Sequence, residues 1–348
     1  MRRVLFLLAA LAPSLFCGCG RTPVRGDIPA AIPPHLAESR VSAARAEAFR
    51  KIIAPAVVRG VGIFPSEFYG RYSDAEVLDA AEALGFNRLY CHLTSEKELD
   101  ERFAGFVAEA VRRNFAVEVV LAQQDFYRRY RGNRLIRGFL IQYPDFYEAM
   151  EALVKFDQKL PEGVRLAGVT AVFSPHLFNG DNAQRTYGRL YRWSEKSYGV
   201  GGDNDMLMRE ALELARRIAA IPGLPRLTIA IPDFFNETVK AGKLPAGSLK
   251  DFAAIHPRIA VICSANMPSK IPEVIRDELA DAPLNTSVIA VIPLAGHTSQ
   301  TEGRLRRRNW EDFQRSIAFL MRKHGSDPAF GGVIVSPLAV IEFLRREK

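Results

Sequence analysis

The chain has 348 residues, 48% of them hydrophobic and 25% charged, with a formal net charge of +8. That composition excludes an intrinsically disordered or collagen-like chain and leaves ample length for a buried core. Four cysteines are too few for a disulfide scaffold, and past the N-terminus no apolar run reaches the roughly 18 residues of a membrane span, which excludes a polytopic membrane protein.

The N-terminus opens with Arg2 and Arg3, continues with an apolar run from Val4 to Phe16, and ends in Cys17-Gly18-Cys19-Gly20. A positive start, a short apolar segment and small residues after it are the parts of a secretory signal, so residues 1–18 read as a signal peptide. Gly18-Cys19, with Phe16 three positions before the cysteine, resembles the lipobox of bacterial lipoproteins. The resemblance implies cleavage before Cys19 and acylation of its thiol; Cys17 fits less well because bulky Phe16 precedes it. An uncleaved anchor helix or a plainly secreted chain are the alternatives, and all three place the protein outside the cytoplasm. Residues 19–34 then read as a lipidated cysteine and tether, because Pro23, Pro29, Pro33 and Pro34 disfavour helix and favour an extended spacer. Loss of Arg2 and Arg3 lowers the formal charge from +8 to +6.

Residues 35–348 read as one (β/α)8 barrel domain. Continuous apolar, β-branched runs, expected of strands buried on both faces, occur at Val57–Phe64, Arg88–Leu93, Ala116–Gln123, Ala167–Phe173, Arg226–Ile231, Ile259–Cys263, Val288–Ile292 and Gly332–Val335. Helical patterns separate them. Ser73-Asp74-Ala75-Glu76 is a capping-box signal for a helix ending at Gly85, and Ser95 is expected to open the next, with Phe103, Val107, Ala110 and Val111 on one face. Leu207, Ala211, Leu214 and Ile218 mark a further helix; Trp310, Phe313, Ile317, Leu320 and Met321 mark the last. His35–Ile53 is expected to cap the bottom. A doubly wound open sheet lacks the Gly-rich phosphate loop after its first strand. Cys91 and Cys263 fall on opposite strands, beyond the roughly 7 Å that a disulfide tolerates, and are expected as buried free thiols.

Barrel chemistry sits at the C-terminal ends of the strands. Those positions offer Glu67, His92, Gln124, Asp125, His176, Asp233, Asn266 and His297. Three loops on that face are rich in arginine. Asp125 to Asp145 carries five arginines against two aspartates, Leu177 to Gly202 carries three arginines and Lys196 against Asp181 and Glu195, and Gly296 to Asn309 carries four arginines against Glu302. Their combined excess exceeds the charge of the whole mature chain. Tyr130, Tyr191 and Trp193 are interleaved there. Guanidinium forks recognise carboxylates and phosphates, and flat rings stack on sugars or on guanidinium groups. A solvated rim of internally paired arginines is the alternative; nucleic acid is not expected outside the cytoplasm.

Glycoside hydrolysis needs two carboxyl groups roughly 5 to 9.5 Å apart. Glu67, Asp125 and Asp233 are the candidate catalytic acids, although Asp125 and Asp233 also suit helix caps or arginine partners. His92, His176 and His297 at strand ends suggest metal ligands only weakly, since no HxH pair or HExxH helix accompanies them, and neither a metal nor a cofactor is expected. No GxSxG elbow is present for serine chemistry.

The order RGVGIF, AEALGFNRLYCHL, NFAVEVVLAQQDFY, RLAGVTAVFSPHLF and FGGVIVSPLAVIEFL resembles a group of bacterial glycosyl-hydrolase-like barrels over most of Val57 to Leu344. In that group strand four reads G-I-x-L-D-V-E-P-Y, supplying an Asp and a Glu, strand three carries Gly-Asp-Pro, and strand eight ends in H-D-Y-E. Here Gly168 and Pro175 match, while Val172 and Ser174 stand at the acid positions, Gln123-Gln124-Asp125 replaces Gly-Asp-Pro, and Ser336-Pro337-Leu338 replaces the polar segment. The leading expectation is a lipid-tethered, non-catalytic or diverged barrel that binds an anionic glycan. Arg128, Arg131, Arg192 and Arg307 are its expected charge contacts, Tyr130, Tyr191 and Trp193 its stacking platforms, and Gln124, His176, Asn266 and His297 further ligand contacts. An active hydrolase using Glu67, Asp125 and Asp233, and an assembly lipoprotein without a small-molecule site, are the alternatives.

Overall fold

The structure, a computed structural model, describes residues 43–64, 72–126, 144–177, 185–186, 189–190, 193–263, 270–292 and 310–335. Eight strands, β1 Val58–Ile63, β2 Arg88–Leu93, β3 Ala116–Ala122, β4 Gly168–Val172, β5 Leu227–Pro232, β6 Arg258–Ile262, β7 Ser287–Ile292 and β8 Phe330–Val335, pair in parallel and in chain order. The ring closes where Val58 pairs with Gly332 and Val61 with Val335, so the sheet is a closed (β/α)8 barrel. Every strand lies within two residues of its sequence expectation.

Around it run α1 Ala43–Ile53, α2 Asp74–Ala83, α3 Glu101–Arg112, α4 Pro144–Lys159, α5 Asp203–Ala219, α6 Phe234–Lys240, α7 Leu249–Ala253, α8 Ile271–Asp281 and α9 Trp310–His324. The Ser73 capping box is present, with Glu76 returning a bond to the Ser73 backbone. The expected start at Ser95 is corrected. Ser95 caps only a three-residue 3-10 turn, because Glu98 folds back onto the Thr94 backbone N–H and hydroxyl, and α3 begins instead under Asp100, whose carboxylate accepts from the Phe103 N–H at 2.9 Å. The long fourth loop contains a short antiparallel pair, Arg185–Thr186 with Arg189–Leu190, that periodicity did not suggest. Of the expected cap at His35–Ile53, the described part is α1. It packs beside the first and last helices of the ring, with the Phe49 ring against Phe86 at 5.9 Å and Phe313 at 5.7 Å.

The barrel interior is layered. Arg88, Glu118, Thr170, Thr228 and Arg258, from β2 through β6, form a polar layer near the N-terminal ends of the strands. Arg88 Nη1 donates to Glu118 Oε1 at 2.5 Å, Arg258 Nη1 approaches the same oxygen at 2.7 Å, and the Thr170 and Thr228 hydroxyls donate to Oε2 at 3.0 and 3.3 Å. Arg258 also donates to the Tyr90 hydroxyl at 3.3 Å. Above this layer lies an apolar one of Val58, Tyr90, Ala230, Ala260, Ile289 and Ile334, with half-buried Val120, Val172, Ile262 and Val291 packed against it. The Tyr90 ring occupies space that Gly60 leaves open, since a Cβ there would fall 2.4 Å from the ring. Cys91 and Cys263, four strands apart, are buried free thiols, as expected.

Glu118 is wholly buried and Arg258 nearly so. Removing one partner of a buried ion pair strands the other charge at a cost of about 3–5 kcal/mol. Glu118→Gln is therefore expected to destabilise the fold by about 3 kcal/mol in urea unfolding, more than Glu109→Gln on the surface of α3; equal midpoints for the two variants would contradict the assigned role.

Candidate functional site

The C-terminal face is framed by segments that follow β1 to β5. Along β2 alternate residues point inward: Arg88 reaches Glu118, Tyr90 joins the interior apolar layer, and His92 comes next on the same side at the strand's end. β3 ends in a 3-10 turn, Gln123–Phe126, which carries Asp125 beside it. His92 Nε2 and Asp125 Oδ2 are 2.8 Å apart, and the Phe64 ring lies 4.8 Å from the imidazole, tilted across it. An ionised carboxylate only accepts, so Nε2 carries the proton in this pair. The Asp125 side chain is 2% exposed and that of His92 is 18% exposed, so the acid is enclosed and the imidazole retains access to the mouth.

Gln123 bridges β3 to β4. Its Oε1 accepts from the Ser174 backbone N–H at 3.2 Å, while its Nε2 is buried without a hydrogen-bond partner. His176 follows on the turn after β4. Phe234, Phe235 and Trp193 surround its ring at centroid distances of 5.0, 5.6 and 6.5 Å, and burial pulls its pKa down to about 4, so the ring is neutral at physiological pH. Trp193 is half-buried and also meets Tyr198 edge-on at 6.1 Å. Its position is fixed from behind by Asn204 in the first turn of α5, whose side-chain amide accepts from the Ser194 N–H at 3.1 Å and donates to the Ser194 carbonyl at 2.9 Å. Lys243 approaches the Tyr198 face at 5.7 Å, a short-range cation–π contact.

Asp233, at the N-cap position of α6, makes no side-chain cap bond and is buried. It belongs to a carboxyl-rich cluster behind β5 and β6. Burial, then the charges of Asp233 and Asp281, raise Glu278 on α8 to about 8, with Lys240 opposing and Glu237 adding to the rise. Asp281 accepts from Asn236 at 2.7 Å and pairs with Lys240. Burial, with Asp233 and Glu278 adding to it, also pushes the Cys263 thiol up.

Of the sequence candidates, the structure therefore places Asp125 against His92, His176 beside Trp193, and Asp233 beside Glu278. Glu67, Arg128, Tyr130, Arg131, Tyr191, Arg192, Asn266, His297, Arg307 and Cys19 lie outside the described residues, as does the side chain of Gln124. Among the described residues no group of three or more His, Cys, Asp or Glu side chains is placed to hold a metal ion, and no helix is long and apolar enough to cross a membrane. Sequence reasoning missed the His92–Asp125 pairing and the role of Gln123. The signal was available in the inward parity of Arg88, Tyr90 and His92 and in the adjacency of β2 and β3.

No family model matches the chain, and no curated protein matches it. Among solved structures it is similar to an intracellular xylanase, TsXylA, from Thermoanaerobacterium saccharolyticum, with 11% identity and a TM-score of 0.45 over 83% of this chain and 87% of that one. A GH5-4 broad-specificity endoglucanase from an uncultured bacterium gives 13% identity and a TM-score of 0.42 over 80% and 86%. A 2,3-dimethylmalate lyase gives 10% identity and 0.37 over 85% and 81%. Likenesses at this level carry no weight for chemistry, and the closed strand pairing itself defines the barrel.

The Glu278 cluster gives a pH dependence with a definite sign. A carboxyl raised from its usual 4.5 to about 8 holds a proton in the folded chain that the unfolded chain releases, so this group's contribution to stability is fully present below pH 4.5 and is lost as pH rises toward 8. Urea unfolding between pH 5 and 8 is expected to show a loss contributed by this group of up to roughly 1.4 kcal/mol per pH unit. Glu278→Gln should flatten that loss; an unchanged slope would remove the cluster from the account.

Proposed function

We propose that this protein is an extracytoplasmic lipoprotein, anchored to a bacterial membrane through Cys19, whose glycosyl-hydrolase-like barrel binds an anionic glycan at its C-terminal face and does not cut it by the two-carboxylate route. The observation that carries the reading is the fate of the acid positions. Val172 and Ser174 occupy those of strand four, with the Ser174 backbone held by Gln123, and Asp125 is enclosed against His92. A carboxyl group already bound in this way is poorly disposed to protonate a glycosidic oxygen, and a hydroxyl or a methyl-bearing side chain supplies none of the 10²- to 10⁴-fold of positioned acid–base catalysis. The half-buried Trp193, held from behind by Asn204, supports sugar stacking next to arginine-rich stretches that suit carboxylate or sulfate groups.

The soluble form beginning at Arg21, titrated with uronic-acid polysaccharides, is expected to bind them more tightly than neutral glycans, with affinity falling as salt rises. Alanine at Arg128, Arg131, Arg192 or Arg307 should weaken binding several-fold and flatten the salt dependence, and Trp193→Ala should weaken it about tenfold, the equivalent of about 1.4 kcal/mol. Unchanged affinity in all five variants would refute the reading. For the anchor, Cys19→Ala should move the full-length protein from the membrane fraction to the soluble one, whereas Cys17→Ala leaves it in place.

A further inference from the structure

Helix α6 is held between an aromatic wall and a buried group of acids. On one side its first two residues, Phe234 and Phe235, set their rings 5.0 and 5.6 Å from that of His176, and Phe235 also lies 6.0 Å from Trp193. On the other side the same short helix meets α8: the Asn236 amide donates to Asp281 at 2.7 Å, and Lys240 pairs with that carboxylate. Asp233 and Glu278 each stand about one turn before a member of the Asn236–Asp281 bond, and they are 5% and 3% exposed. Glu278 Oε2 is buried without a hydrogen-bond partner. The acids and the ring wall are thus joined by one seven-residue helix.

The charged groups facing Glu278 are mostly negative. α6 brings Asp233, Glu237 and one cation, Lys240; α8 adds Asp281; β6 leads into the buried Cys263 thiol, and β7 carries no ionisable side chain. Lys250 on α7 acts on Asp281. From α9, His324 reaches the Pro272 carbonyl at 2.8 Å and Lys323 faces Glu273, both more than a turn before Glu278. A protonated Glu278 adds no charge to this group. An ionised one places a buried negative charge beside Asp233, with an Oε2 that has no donor, and the one facing cation is already paired with Asp281. Burial and these neighbours raise Glu278 to about 8, so the change falls just above neutral pH, whereas His176, held down to about 4 by burial, does not titrate there.

We propose that Glu278 is a positioning residue for the ligand platform: with its proton it keeps α6 against α8, and on ionising it shifts α6, draws Phe234 and Phe235 away from His176 and Trp193, and weakens glycan binding. The proposal rests on the barrel mouth being the glycan site. Linkage runs in both directions, so a glycan that favours the closed wall also favours the protonated acid and is bound with uptake of protons.

The test uses the full-length protein in neutral detergent, with polygalacturonate as the probe. Trp193 and Trp310 are the two tryptophans of the chain, and Trp310→Phe leaves Trp193 as the single reporter. Without polymer, Trp193 emission is expected to change with a midpoint near pH 8, to stay flat between pH 6 and 9 in Glu278→Gln, and to change at lower pH in Asp233→Asn, which removes a charge that raises Glu278. Polymer affinity should fall about threefold or more from pH 7 to 9 in the wild type and hold level in Glu278→Gln. Calorimetry of the unsubstituted protein at pH 8, in two buffers of different ionisation enthalpy, should show protons taken up on binding. A polymer that binds with the same affinity across this range, or an emission change that persists in Glu278→Gln, overturns the role of Glu278 and leaves the binding reading standing. An emission change that depends on Glu278, in a protein that binds no polymer at any pH, supports the link between Glu278 and the aromatic wall and removes the binding reading instead.

Discussion

The buried carboxylate of Glu118 is the interaction on which the rest of the barrel depends. It lies on β3 and is approached by Arg88 from β2, Thr170 from β4, Thr228 from β5 and Arg258 from β6, so five consecutive strands converge on two oxygen atoms. Side chains alternate across a strand, and a one-residue slip of any of the five would turn its contributor away from the carboxylate and an outward residue toward it. Apolar packing alone tolerates such slips better, because a valine is nearly as content on either buried face. Charge with directed hydrogen bonds does not, and leaving Arg258 without its partner is more costly than losing a methyl contact.

Register fixed at the N-terminal ends is transmitted to the mouth. Because Arg88 must face Glu118, Tyr90 faces inward and His92 does so again, two layers higher. Because Glu118 faces inward, β3 delivers its end beside β2 and its 3-10 turn sets Asp125 against His92. The His92–Asp125 pair is thus positioned by a salt bridge at the other end of the barrel, with the Gly60 gap accommodating the Tyr90 ring between them.

Much of this architecture was legible in the sequence for a physical reason. Strands covered on both faces are continuous apolar runs, and eight of them separated by amphipathic helices leave few alternatives to closure. Helix starts were less legible, because Ser95 and Asp100 both offer a cap and only the fold-back of Glu98 onto Thr94 decides between them. The site was the least legible. Asp125 and His92 were each visible as strand-end residues, but their pairing depends on inward parity in two neighbouring strands. Glu278 gave no signal at all: a glutamate on an amphipathic helix is usually solvated, and its burial follows from how α8 packs near β5 and β6.

The enclosure that weakens the case for glycoside hydrolysis changes what Asp125 can influence. A carboxylate open to the mouth is a candidate acid or nucleophile; once it is 2% exposed and held at 2.8 Å by an imidazole, its remaining influence is exerted through that ring. It fixes the ring plane together with Phe64. His176, by contrast, is walled by Phe234, Phe235 and Trp193 and is held neutral by burial. The two histidines stand two strands apart at one face of one barrel in different surroundings, His92 tied to an enclosed carboxylate and His176 walled by aromatic rings.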